Sequence, residues 1–316
     1  MNSLYKRLAS DLSLQEEYIK SIVRKSNICY KTYHIPKRNG GVRFIHQASP
    51  ELKTLQYWVR EKVLVHLPVS RAAFAYEPEC SIRKHADYHR QCHFLFHTDV
   101  KNFFPSIQQE HLECILKAHR SILEEHGVWY EDLCYVVGMI CFRNNGLSIG
   151  TVSSPRISNI IMYDFDEKLL EYCEAKGYHY SRYADDIYIS SPTYIPVEVQ
   201  DLVEAALKEK GFSTNSQKTG FRTPKARRKV TGVIITDQKT ISIGSAFKRD
   251  IRSMIYQRLK YGQGDPEVIL GYLSFLKAIE PATFTKYLIK YAPYCNGNVL
   301  AAIKRGIQTE NEHDKS

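Results

Sequence analysis

The sequence predicts an α+β fold, and three observations carry that expectation. Two stretches, 29–45 and 178–190, read as strand, tight turn, strand, with β-branched and aromatic residues on their arms. The segments between them carry apolar residues at helical spacing. From Ser245 to about Gly306 the pattern is helical, in three or four pieces.

The chain has 316 residues and is 43% hydrophobic, enough for a large core in one to three domains. It has no run of eighteen apolar residues, and MNSLYKRLASDLSLQEE lacks the apolar centre of a signal peptide. A soluble, cytoplasmic protein with no membrane partner is expected. The eight cysteines are scattered singly, which favours reduced thiols over disulfides or a zinc site. A formal charge of +10 favours a polyanionic partner, and 22 tyrosines with 13 phenylalanines suit stacking on bases.

In chain order, residues 2–25 read as one amphipathic helix and 29–36 as a strand. Lys37-Arg38-Asn39-Gly40-Gly41 is a turn, and 42–45 returns as its partner. Lys37, Arg38 and Arg43 then lie near the tip, either as a clamp for a triphosphate or as a solvated charged hairpin. A helix is expected from Pro50 to about His66, a loop over 68–80, and a short helix from Ser81 to Cys92. His85, His89 and His93 share one face of that helix, but no zinc site is expected from them. Phe94–Asp99 is a buried strand ending in a carboxylate, and helices follow at 108–119 and 121–142. A loop over 144–152 leads into a long helix from Ser153 to about Ala175, with Pro155 in its first turn. After the second hairpin come a helix over 196–210, short strands at 212–215 and 230–236, and a possible partner strand at 241–243. The residues from Gln308 are polar and expected to be disordered.

The chemistry concentrates at two acidic strand ends. Asp185 and Asp186 sit side by side at the tip of the second hairpin, where like charges repel unless a divalent cation relieves them. Asp99 ends the buried strand and is followed by Phe103-Phe104. Phosphoryl transfer with two metals needs several carboxylates at converging strand ends, and these three supply them.

Here the chain resembles reverse transcriptases, from about residue 30 to residue 280. The carrying residues are Asp99 with Phe103-Phe104, Leu147 to Pro155 (LSIGTVSSP), Tyr183 to Asp186 (YADD), and Gly211-Phe212 with Asn215 and Lys218-Thr219. Within that group it is similar to retron enzymes. Val230-Thr231-Gly232, after Arg227-Arg228-Lys229, matches their VTG motif, and His85-Ala86-Asp87-Tyr88-His89 matches their NAxxH element with His in place of Asn. The loop departs from the family's usual LPQGAPSSP at Ser148, Ile149, Thr151 and Val152.

The resemblance implies a right-hand polymerase, with an N-terminal helix and fingers over 1–92, a palm with antiparallel sheet over 93–243 and a helical thumb over 244–316. A fingers insertion would occupy about 108–152. It implies DNA synthesis from dNTPs on an RNA template with two Mg²⁺ ions, held by Asp99, the Val100 carbonyl, Asp185 and Asp186. Lys218 would protonate pyrophosphate, or stand as a solvated loop lysine. Lys37, Arg38, Arg43 and Gly150 would bound the nucleotide, and Tyr183 the primer end. Phe104 would exclude a ribose 2′-OH, or simply pack the palm. His89, Arg227, Arg228, Lys229, Thr231 and Gly232 would meet the RNA, with Lys248, Arg249, Arg252, Arg258 and Lys260 of the thumb. The expected partners are a cognate retron non-coding RNA, its msDNA product, a separate effector protein and a host RNase H, in phage defence. A group II intron-type enzyme and an RNA-binding scaffold are the alternatives.

Overall fold

A computed structural model describes residues 3–36, 40–295 and 297–305. Lys37 and Arg38 lie outside them. The chain forms two compact units, one from the described residues of 1–80 and 96–221, the other from those of 81–95 and 222–316. These cuts fall elsewhere than the three segments expected above. The helix that carries His85 groups with the VTG stretch and the C-terminal helices.

In the first unit the expected N-terminal helix is two. Ser13 takes a left-handed backbone (φ 53°) and ends Leu4–Leu12, and Glu16–Arg24 starts anew. The break lets both pieces bury an apolar side, Leu4 and Leu8 on one and Ile19, Ile22 and Val23 on the other. β1 (Tyr30–Pro36) and β2 (Val42–Ala48) form the first hairpin, with Ile35 opposite Arg43 and Tyr33 opposite Ile45. Pro50–Lys62 follows, capped by the Ser49 hydroxyl with Pro50 at its first turn. The helix expected over 121–142 is interrupted: Arg120–Glu125 stops before Gly127 (φ 64°), and Leu133–Cys141 restarts after an irregular stretch. The long helix after Ser153 divides at Met162 into Ser154–Ile161 and Tyr163–Ala175.

The central sheet has four strands: β3 (Phe94–Asp99), β4 (His179–Tyr183), β5 (Asp186–Ser191) and β6 (Gly220–Arg222), in the order β4-β5-β3-β6. The strand expected at 212–215 is reduced to one bridge, Val100 with Thr214. Beneath the sheet a buried charge network replaces part of the apolar core. Arg182 and Asp166 are both fully buried, and the guanidinium meets both carboxylate oxygens, at 2.6 Å for the closest pair. Tyr180 donates its hydroxyl to Asp166 at 2.6 Å, while Arg182 also donates to Asn159 Oδ1 and to the Ala184 carbonyl.

In the second unit Ile82–His89 packs on a three-stranded sheet of β7 (Arg228–Val230), β8 (Val233–Ile235) and β9 (Ile241–Ser242). The strand expected at 230–236 is a hairpin instead. Thr231 (φ 44°) and Gly232 (φ 89°) are both left-handed, the backbone of a tight two-residue turn matched to strand twist. The C-terminal helices Ser245–Tyr261, Pro266–Ile279, Pro281–Tyr291 and Val299–Arg305 bury Ile251, Ile255, Leu273, Leu276 and Ile303. Gly262 ends the first helix in the left-handed region, and Asp265 with Pro266 caps the next. Glu280 ties sheet to helices: the Ile243 amide and Ser242 hydroxyl donate to Oε1 at 2.8 Å, and Lys248 reaches Oε2 at 3.0 Å. No described helix is long and apolar enough to cross a membrane, and the eight cysteines are free.

Removing Asp166 alone leaves a buried, unpaired guanidinium. Asp166→Ala is expected to cost about 3–5 kcal/mol in urea unfolding, and Asp166→Leu with Arg182→Met less than that. Burial alone would raise the Glu280 carboxyl, but the Ile243 amide, Lys248 and Ser242 outweigh it and hold it below the ordinary 4.5. A carboxylate depressed in the folded state contributes stability above its unfolded pKa and loses it as pH falls through the folded value. The wild-type melting temperature should therefore drop more steeply below about pH 4.5 than that of Glu280→Gln. Parallel curves would show that the bonds to Glu280 carry no charge-dependent stability.

Candidate active site

The site is assembled by the ends of β3, β4 and β5. Tyr183 pairs with Asp186 across a two-residue turn, Ala184-Asp185, in which Ala184 is left-handed (φ 56°). The backbone fastens this turn to β3, because the Val100 amide donates to the Asp185 carbonyl at 2.9 Å. On the other side the Asn215 amide donates to the Asp99 carbonyl at 2.9 Å, and the following turn carries Lys218.

Three carboxylates therefore gather. Asp99 is 3% exposed, and its Oδ1 is buried without a hydrogen-bond partner among the described residues while Oδ2 accepts the Lys218 ammonium. Burial raises the Asp185 carboxyl above its usual range, and the charges of Asp186 and Asp99 raise it further. Asp186 Oδ1 is bonded to His97 Nε2 at 2.8 Å, and the His97 ring packs on Tyr188. The bond to Asp99 raises the Lys218 ammonium in turn.

This donor set fits a hard divalent cation. It offers only oxygen ligands, it holds a buried carboxylate oxygen with no partner, and a lysine ammonium already answers part of its negative charge. Among the described residues no group of three or more His, Cys, Asp or Glu side chains is placed to hold a metal ion by itself.

The neighbouring walls come from distant sequence. Phe104 is half-buried, with Phe103 at 5.5 Å and Tyr76 at 6.4 Å between ring centroids, both edge to face. Gly150 has φ +102°, and a Cβ there would come within 2.7 Å of Ile45 Cγ2. The His46 amide donates to the Ile149 carbonyl at 2.8 Å, so the 147–152 loop seats the first hairpin. Arg43 lies two residues before Ile45 on the same strand face, and its charge acts on the Tyr76 phenol.

The second unit changes the reading of the basic run. Strand alternation turns Lys229 outward and Arg228 inward, and Arg227, just before the strand, is exposed. Arg228 is 2% exposed and donates to the Cys92 and Thr236 carbonyls, so its guanidinium is a structural group and not an RNA contact. His89 is fully buried too, which removes it from any RNA-facing surface. His85 Nδ1 bonds the Thr231 hydroxyl at 2.8 Å, joining the NAxxH-like helix to the VTG turn. Lys248 is held by Glu280, and Arg258 by the Ile303 and Gly262 carbonyls.

The family described as reverse transcriptase (RNA-dependent DNA polymerase) matches residues 35–235. The Retron Ec83 reverse transcriptase of Escherichia coli is 32% identical over 275 residues, covering 83% of this chain and 86% of its own. The Retron Ec86 reverse transcriptase of the same organism is 29% identical over 295 residues, covering 92% and 88%. The chain belongs to the retron reverse transcriptases. It is an RNA-directed DNA polymerase, and reverse transcriptases as a family work with a divalent metal. Among solved structures, apo telomerase from Candida tropicalis aligns at a TM-score of 0.46 and 13% identity, covering 87% of this chain and 61% of that one.

Sequence reasoning missed four groups of this reverse transcriptase: His97 on Asp186, the Arg182–Asp166 pair under the turn, Tyr76, and Glu77, which Arg156 and Asn159 hold. A charged residue inside an otherwise buried strand was the available signal for Arg182. Gly150 gives the local prediction. Gly150→Ala combines a disfavoured φ with the Ile45 clash and should destabilise by more than ~1 kcal/mol in thermal melts. Adding Ile45→Ala should recover only part of that loss, since it relieves the clash and leaves the backbone strained.

Proposed function

We propose that this chain is the polymerase of a retron, copying part of its own structured RNA into branched, RNA-linked single-stranded DNA (msDNA). The observation that carries the reading is the gathering of Asp99, Asp185 and Asp186 around a buried, unpartnered carboxylate oxygen in a retron family member.

Asp99 and Asp185, with the Val100 carbonyl, would hold two Mg²⁺ ions, and Asp186 assists while His97 fixes its orientation. When bound, such ions activate the primer hydroxyl and offset the charge of the leaving pyrophosphate. Lys218, protonated beside Asp99, carries the proton that pyrophosphate takes up. Arg43, with Lys37 and Arg38, grips the triphosphate, and Gly150 keeps the loop low enough for the first hairpin to seat. Phe104 closes the space a 2′-OH would need, and Tyr183 borders the primer end. Synthesis starts from the 2′-OH of a guanosine in the cognate RNA. Exposed Arg227, Lys229, Arg249, Arg252 and Lys260 supply charge for RNA recognition by shape, with Thr231-Gly232 shaping the hairpin beside them. In this reading the fingers, palm and thumb follow the segments 1–92, 93–243 and 244–316. A host RNase H removes the copied template, and a separate effector protein couples the msDNA complex to phage defence in the cytoplasm.

Primer extension on an RNA template with Mg²⁺ tests the chemistry: Asp185→Ala with Asp186→Ala should fall to background. Full activity in that variant would sink the polymerase site. Sequencing the nucleic acid that co-purifies with the wild type tests the product, and only a branched RNA–DNA molecule supports the retron reading.

A further inference from the structure

We propose that Tyr76 is a positioning residue for sugar selection, a ring that holds Phe104 in the place where it meets the incoming nucleotide. The inference rests on the reading of Phe104 as the barrier to a 2′-OH.

Five observations converge on it. Tyr76 has φ +67°, a left-handed backbone that a bulky residue seldom adopts, and such outliers gather at ligand-binding sites. The segment around it is firmly tethered. The Arg182 amide donates to the Ala72 carbonyl and the Phe74 amide to the Arg182 carbonyl, both at 2.8 Å. Asn159 donates to the Ala75 carbonyl and to Glu77, and Arg156 pairs with Glu77 at 2.8 Å.

Its neighbours Ala73 and Ala75 are buried, yet Tyr76 is 53% exposed. A rigid strap thus presents one aromatic ring to the open side of the site. The ring stands edge to face with Phe104, which also stands edge to face with Phe103, so two rings at 68° and 65° brace it. Burial raises the Tyr76 phenol above its usual range, and the Asp185 and Tyr183 charges raise it further against the pull of Arg43. Tyr76 therefore sits between the catalytic turn, the triphosphate hairpin and the sugar-facing ring. The alternative, a tyrosine that only fills space, does not account for half the residue being exposed on a strained backbone.

The measurement is single-nucleotide incorporation on an RNA template, comparing kcat/KM for a dNTP and its matching rNTP in four full-length variants. Tyr76→Gly suits the positive φ and removes the ring without adding strain; Tyr76→Ala is the second truncation. Both should shift discrimination toward rNTP by about three- to tenfold, the scale of one aromatic pair. Tyr76→Phe should keep the wild-type ratio, because the brace needs the ring and not the hydroxyl. Phe104→Ala is the reference and should shift further. If Phe104→Ala relaxes selection while both Tyr76 truncations do not, the Tyr76 inference is wrong and the Phe104 reading stands. Equal loss with dNTP and rNTP in the truncations would also overturn it, as a merely structural effect. An unchanged ratio in Phe104→Ala would remove the Phe104 reading and this inference together.

Discussion

The buried ion pair between Arg182 and Asp166 is the constraint on which the catalytic unit depends. A fully buried guanidinium is tolerable only when its donors are satisfied, and here Asp166, Asn159 and the Ala184 carbonyl meet them. The same set reaches four parts of the chain. Asp166 belongs to the helix Tyr163–Ala175, Asn159 to Ser154–Ile161, Arg182 to β4, and Asn159 extends to the 72–77 strap through Ala75 and Glu77. Apolar packing is non-directional and would leave the hairpin tip free to rock. A hydrogen-bonded charge fixes where the Ala184-Asp185 turn lies, because Arg182 holds its carbonyl from below.

Above that anchor, the problem is negative charge. Three carboxylates at strand ends repel one another, and Asp185 shows it in a carboxyl raised by burial and by its neighbours. The protein answers locally without displacing them. Lys218 neutralises one oxygen of Asp99, and His97 orients Asp186, while the other oxygen of Asp99 is buried and unpartnered. The arrangement is costly as it stands and favourable around hard cations, the usual relation between a metal-dependent site and its ligands.

The second unit follows the same economy of polar contacts. Arg228 and His89 belong to motifs that invite a nucleic-acid reading, yet both are interior groups. Arg228 caps carbonyls at Cys92 and Thr236, and His85 fixes Thr231. Outward charge is left to Arg227, Lys229, Arg249 and Arg252. A basic run in a strand is thus two populations, divided by the alternation of the pleat.

The sequence by itself determined the two hairpins, the acidic strand ends, the helical C-terminus and the family, because each is set by local pattern. Alternation marks a strand, Asn-Gly-Gly marks a turn, and YADD marks its own tip. Other features depended on partners far away in the chain. The helix breaks at Ser13 and Met162 answer to which side each piece must bury. Arg228 points inward because the Cys92 carbonyl lies 136 residues away in sequence. Tyr76 joins the site because Asn159 and Arg182 hold its strap, and nothing between residues 68 and 80 announces it. Local propensity encodes where the chain turns, whereas only tertiary structure decides which long-range group satisfies each buried donor and which rings are brought together beside the acidic turn.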